Sequence, residues 1–156
     1  MKKKWIRLAK CIAIPLAVGA LSALISGGGM ETFQTLNKPA FAPPGWLFPV
    51  VWTVLYVLMG IASWLVLESG VNRQRIVEAL AMYGLQLTVN FFWSIFFFGF
   101  GWYLFSFIWL VLLWVLILET ILYFYHISKT AAYLMIPYLL WVTFAGVLNF
   151  AIFLLN

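Results

Sequence analysis

Five long apolar stretches, each of roughly 20 residues or more, limit what this chain can fold into. A backbone that crosses lipid must satisfy its own hydrogen bonds, which leaves only helices and closed barrels. The period-2 alternation of a membrane barrel is absent, so the stretches read as helices over about 5–26, 44–67, 76–98, 102–125 and 131–155. The fold class is therefore all-α: an integral membrane five-helix transmembrane bundle, one domain over residues 1–156. Short connections make sequence neighbours antiparallel. The exception is the first connection, 27–45, which holds Glu31, Lys38 and the Pro39, Pro43, Pro44 cluster.

Composition closes the other routes. Hydrophobic residues make up 66% of the 156 and charged residues 8%, against roughly half and a quarter in soluble domains. A soluble enzyme, a nucleic-acid binder and a disulfide scaffold are excluded. The net charge of +5 comes from short segments, not a stripe. In a five-span layout Lys2, Lys3, Lys4, Arg7, Lys10, Arg73, Arg75 and Lys129 share one side, with Lys38 alone on the other. The positive-inside rule then predicts a multi-pass cell-membrane protein with a cytoplasmic N-terminus and the C-terminus and first connection outside. A basic start, an apolar run and Ala20-Leu21-Ser22 also fit a cleavable leader, but the run is long enough to span and is read as the first helix. Cys11 stands alone, His126 is the single histidine and there is no Asp. A disulfide, a Ser-His-Asp triad and a His-rich metal site are thus out of reach, and no intrinsic cofactor or metal is expected.

Polar side chains inside spans are costly, so their spacing carries information. On the third span Tyr83, Gln86, Asn90 and Ser94 recur along one helical face, with Trp93 beside it. On the fifth, Tyr138, Trp141, Ala145 and Asn149 recur in the same way, with Leu148 adjacent. On the second, Trp52, Tyr56, Gly60 and Ser63 do so. Spacing alone leaves two readings open: hydrogen-bonding glue between helices, or the wall of a pocket. The aromatic load, 20% of the chain, suits a pocket for a flat, largely apolar ligand oriented by sparse hydrogen bonds. Glu119, inside the fourth span, reads as a partner of Lys10 or a carboxylate reaching for the interface, with proton coupling as the competing role. The long first connection mixes Phe33, Leu36 and Phe41 with prolines, which predicts a structured lid closing on a pocket lined by Trp52, Asn90 and Trp141.

Several motifs in order resemble one known family. Asn37-Lys38-Pro39-Ala40-Phe41-Ala42-Pro43-Pro44, followed by Trp52-Thr53-Val54-Leu55-Tyr56 and Met59-Gly60, is similar to the first-loop and second-helix signature of the translocator protein family, TspO/MBR, also called the peripheral-type benzodiazepine receptor family. Gln86 to Trp93 and Pro137 to Ala145, with Leu148-Asn149, resemble the same family's later helices. The resemblance covers about residues 8 to 154.

It implies a homodimeric five-helix bundle in the lipid bilayer with a pocket beneath the first connection. It further implies binding of tetrapyrroles and of isoquinoline- or benzodiazepine-type drugs, and, as in bacterial members, light- and oxygen-dependent breakdown of protoporphyrin IX without a metal. Carried over residue by residue, Trp52 and Trp141 match the pocket tryptophans tied to that breakdown. Asn90 matches the third-helix amide, and Ala145 and Leu148 the fifth-helix wall. Phe33, Pro43, Tyr56, Trp93 and Tyr138 complete the expected ligand contacts, with Lys38 at the mouth to meet a propionate. Cholesterol is disfavoured, because no Lys or Arg follows Tyr138 where animal members end their sterol motif; Leu122, Tyr125 and Lys129 fit only the loose pattern. A transporter and a ligand-responsive sensor are the alternative functions.

Overall fold

The computed structural model describes residues 1–27 and 29–156, with the side chain of Met30 also left aside. Its elements are α1 (Lys2–Ser26), α2 (Gly29–Thr35), α3 (Leu47–Leu67), α4 (Arg73–Ser94) running into a π-helical turn (Ile95–Gly99), α5 (Tyr103–Tyr125) and α6 (Lys129–Leu155). Among the described residues, five helices are long and apolar enough to cross a membrane: α1, α3, α4 with its π turn, α5 and α6. This is the all-α bundle that the apolar stretches demand. Lipid explains its inside-out look, since Val111, Leu112, Leu140, Val147 and Leu154 stand exposed on the outer faces.

The ends follow from capping chemistry. Asn72 accepts a hydrogen bond from the Gln74 backbone N–H at 2.7 Å, so α4 starts three residues before the first apolar residue of its stretch. Ser128 caps α6 in the same way through Ala131 N–H. The second span opens at Leu47 and not near Pro44, because Pro44 to Leu47 is spent on a turn (Leu47 N–H to Pro44 C=O, 3.0 Å). Pro49 then falls in the first turn of α3, where a missing N–H costs nothing. The first connection is not all loop: it carries α2. Gly28 of the Gly27-Gly28-Gly29 stop lies outside the described residues. Gly27 ends α1 with φ +61°, a conformation that glycine adopts without strain.

Around the bundle the helices run α1, α3, α6, α5, α4, and α4 meets α1 again to close the ring. The core fills the centre, with Met59, Ala62, Ile117, Met135 and Ile152 fully buried. The α1/α3 seam is tight at one level. A Cβ on Gly60 would lie 2.6 Å from the Cys11 carbonyl oxygen and 2.5 Å from Ile12 Cα. That carbonyl is the one that Pro15 leaves without its usual donor four residues on. Glycine lets the two backbones touch there, as small residues do between membrane helices. Two turns further along α1 toward the lid, Gly19 faces the Tyr56 ring, and a Cβ built on it would lie 2.3 Å from a ring carbon.

The Lys10–Glu119 pair does not form. Glu119 points from the exposed side of α5, which packs on α4 and α6 and not on α1. The carboxylate that meets α1 is Glu68, which accepts from Arg7 at 2.6 Å. On the same basic end Arg75 donates to the His126 carbonyl at 2.6 Å, tying α4 to the α5–α6 turn.

These contacts predict opposite responses at two glycines. Gly60→Ala should lower stability by about 1–3 kcal/mol through overpacking against backbone. Gly84→Ala, with open space around it, should be neutral or stabilising by up to about 1 kcal/mol, since alanine is the better helix former. Thermal unfolding of both variants in the same detergent checks the sign at each.

Candidate functional site

The polar stripes of three helices meet at Asn90. Tyr56 of α3 donates to its side-chain oxygen at 2.8 Å, and its amide nitrogen donates to the Tyr138 hydroxyl of α6 at 2.7 Å. Tyr138 passes the chain on to Gln86 at 2.7 Å. All four residues are buried. In lipid no water is at hand for an amide, so the groups satisfy one another, and this fixes the rotation of α3, α4 and α6 about their axes. A second cluster gathers on Asn149, which accepts from Trp93 Nε1 at 3.1 Å and from Ser106 at 3.2 Å and donates to the Tyr103 carbonyl at 2.8 Å.

Beside this network lies a cavity of about 560 Å³, bounded by α1, α3, α4 and the π turn. Trp52 forms its floor, stacked on Tyr56 (centroids 5.6 Å, 28° between planes) and tilted against Trp93 at 6.4 Å. The π turn adds Phe98, which meets Trp93 edge-on at 6.0 Å while Phe97 stacks on Trp93 at 5.3 Å. The wider turn, closed by Phe100 N–H to Ile95 C=O at 3.0 Å, sets both rings against the one indole. Such turns recur at functional positions in helices. Among the described residues, the lining includes no Lys, Arg, His or Glu.

The first connection is built as a lid. Phe33 of α2 is 2% exposed, edge-on to Phe48 at 5.0 Å and to Phe98 at 6.5 Å, both cavity residues. Asn37 and Asn156 bond reciprocally (Asn37 N–H to Asn156 Oδ1, 3.2 Å; Asn156 Nδ2 to Asn37 C=O, 2.9 Å), latching the lid to the end of α6. Phe41 packs on Phe144 at 6.2 Å. Lys38 is not at the cavity mouth. Its ammonium donates to the Phe33 and Gln34 carbonyls at 3.1 and 3.4 Å and sits over the Phe33 ring. A cation there neutralises the end of a short helix, so the charge holds the lid in shape.

Of the ligand residues expected from the sequence, Trp52, Tyr56, Asn90 and Trp93 line the cavity. Phe33 and Tyr138 stand one residue behind its wall, through Phe48 and Asn90. Ala145 and Leu148 are buried on α6 away from the lining, and Pro43 is half-buried in the connection. Trp141 departs furthest. It leaves the inward stripe of α6 and lines a separate apolar groove on the outer side of the α3/α6 seam, with Val50, Val54 and Leu140. Phe48, at 5.8 Å, stands between it and the cavity side. The reason is angular: Tyr138, Val142, Ala145 and Asn149 take the centre of the buried face, and Trp141 falls at its edge. The sequence reading missed the α1 wall, Leu16, Gly19, Ala20, Ser22, Ala23 and Ser26. Its signal was present as small residues recurring every three or four positions, a pattern of close approach between spans.

A five-span bundle with a lidded aromatic cavity and an inward amide network defines a class of multi-pass membrane proteins, and sequence comparison gives that class its family. Residues 11–155 match the TspO/MBR family. The chain is 42% identical to the tryptophan-rich protein TspO of Chlorobaculum tepidum, over 100% of this chain and 99% of that one. It is 40% identical to the tryptophan-rich protein TspO of Archaeoglobus fulgidus, covering 97% of each. Protein CrtK of Rhodobacter capsulatus is 37% identical over 88% of this chain and 85% of its own. The chain belongs to the TspO/MBR family and is a multi-pass membrane protein.

The network carries a prediction of its own. Asn90→Leu removes two bonds worth about 0.6–1.7 kcal/mol each between membrane helices, so stability should fall by about 1–3 kcal/mol. Tyr138→Phe should cost a similar amount, and the double variant less than the sum, because the two share one bond. Additive losses in a chemical denaturation series would show that the network does not act as a unit.

Proposed function

We propose that this protein binds a tetrapyrrole in the cavity beneath the lid and promotes its light- and oxygen-dependent degradation, with protoporphyrin IX as the substrate. The observation that carries the reading is the pair of indoles, Trp52 and Trp93, bordering a cavity of about 560 Å³ whose walls are mainly apolar, with the Asn90 amide and a few hydroxyls as the polar groups. Flat conjugated rings gain from stacked and edge-on aromatic contacts beyond simple burial. The volume falls within the range of about 300–1,000 Å³ typical of small-molecule sites. Isoquinoline- and benzodiazepine-type ring systems suit the same walls.

The bound pigment absorbs the light and dioxygen is the oxidant, so the hard chemistry belongs to the substrate. The chain's part is to hold the ring against Trp52, keep water out with α2 and Phe33, and present an oxidisable indole at contact distance. Trp52 fills that role because it lines the cavity. Trp141 acts at one remove, behind Phe48. In the membrane the basic end, with Lys2, Lys3, Lys4, Arg73 and Lys129, faces the cytoplasm and the lid faces outward.

Illumination of the purified protein with protoporphyrin IX tests the reading. Trp52→Phe should slow the loss of porphyrin absorbance by roughly tenfold, while Trp141→Phe should change it by less than about twofold. Equal rates in wild type and both variants would remove the catalytic assignment. A larger loss at Trp141 than at Trp52 would move the site to the outer groove.

A further inference from the structure

Three boundaries of the cavity are routes for a ligand, and two of them are fastened. The lid is held by Phe33 against Phe48 and Phe98 and by the Asn37–Asn156 latch. The α1/α4 seam is closed by hydrogen bonds at cavity level. Ser22 donates to the Phe91 carbonyl at 2.6 Å, and the Ser26 and Ser94 hydroxyls meet at 2.9 Å. Ser26 also donates to the Ser22 carbonyl at 2.7 Å, which uses its one hydrogen, so Ser94 is the donor in that pair.

The α1/α3 seam differs. It is locked at Gly60 and Gly19, on the side away from the lid. Beyond that lock the lining residues Ala20 and Ala23 of α1 and Pro49 and Thr53 of α3 are all exposed, although they border the cavity. Among the described residues no hydrogen bond crosses the seam there. Thr53 turns its hydroxyl back to the Pro49 carbonyl at 2.6 Å, so the rim presents methyl and methylene groups. Val50 and Val54, beside it on α3, are more than half exposed on a surface that lies among lipid chains.

The geometry points to a lateral opening between α1 and α3, rimmed by Ala20, Ala23, Pro49 and Thr53, through which the cavity is loaded from the bilayer and not from water through the lid. This rests on reading the cavity as a ligand site. It adds the class of ligand admitted: a neutral, membrane-dissolved ring system, or one whose ionised groups stay at the rim. An ionised carboxylate drawn inside would find no cation among the lining residues, and an uncompensated charge in an apolar site is strongly unfavourable. A lid latched by Asn37 and Asn156 has no need to open for such a ligand.

A bilayer-partitioned aryl diazirine tests the route without a tetrapyrrole. After photolysis in proteoliposomes, peptide mass spectrometry reads the label on Trp93 and Phe98 inside the cavity and on Phe105 on the exposed side of α5. Wild type should be labelled at all three. Two plugs at exposed rim positions, Thr53→Trp and Ala20→Phe, should lower the cavity label roughly tenfold by steric block and leave Phe105 unchanged. Unchanged Phe105 labelling controls for the probe in the bilayer, and loss of the fold would raise the label on buried Trp93, not lower it. Loosening the latch with Asn37→Ala and Asn156→Ala should leave cavity labelling within about twofold, because the lid is not the route. Absence of cavity label in wild type, or label that ignores the plugs and rises when the latch is loosened, overturns the opening. The porphyrin assay is separate. Loss of porphyrin breakdown with intact, plug-sensitive labelling defeats the substrate and keeps the route.

Discussion

An amide buried among lipid-facing helices has no water to fall back on, and the fold depends on how Asn90 meets that constraint. Its oxygen takes the Tyr56 proton and its nitrogen gives one to Tyr138. Three helices are thereby held at fixed rotation. Hydrophobic burial cannot do this in a membrane, because the tails outside are as apolar as the core inside. With α3, α4 and α6 set by the network, α1 is left to close the ring. It does so by backbone contact at Gly60 and serine bonds to α4. The cavity is the space that α1 does not fill.

That arrangement separates two tryptophans that a linear reading joins. Trp52 and Trp141 belong to helices that pack on each other, and both sit near the lid end. Yet one borders the cavity and the other an outer groove, with Phe48 edge-on beside Trp141. The indole N–H of Trp141 is buried without a partner, and its groove is lined by Val50, Val54 and Leu140. Of the two, Trp52 is the one that borders the cavity, beside Trp93, whose indole N–H is held by Asn149.

The five spans were legible because length and apolarity leave no alternative in lipid, and the Gln86–Asn90 and Tyr56 stripes because buried polar groups recur at the helical period. The lid was legible from its aromatics, but not α2 within it, since a seven-residue helix has too few turns for a periodic signal. Trp141 was misplaced because a period of three and four tolerates an error of a quarter turn, enough to carry a wide ring from the centre of a face to its rim. The role of Lys38 was hidden for a different reason. Whether an ammonium points to a ligand or to the carbonyls of its own lid depends on the connection's path, which sequence spacing does not encode. The α1 wall was visible only as a run of small residues, and smallness reads equally well as helix contact. Gly60 is such a contact, whereas Ala20 and Ala23 border empty space.

The proposed ligand site is the space between α1, α3 and α4. A crystal structure from lipidic mesophase with protoporphyrin IX bound addresses it most directly. The macrocycle is expected in the space bordered by Trp52 and Trp93, with its edge against Asn90 and Tyr56 and its acid groups at the rim. A macrocycle seated in the α3/α6 groove against Trp141 and Leu140, with the inner cavity empty, would contradict it.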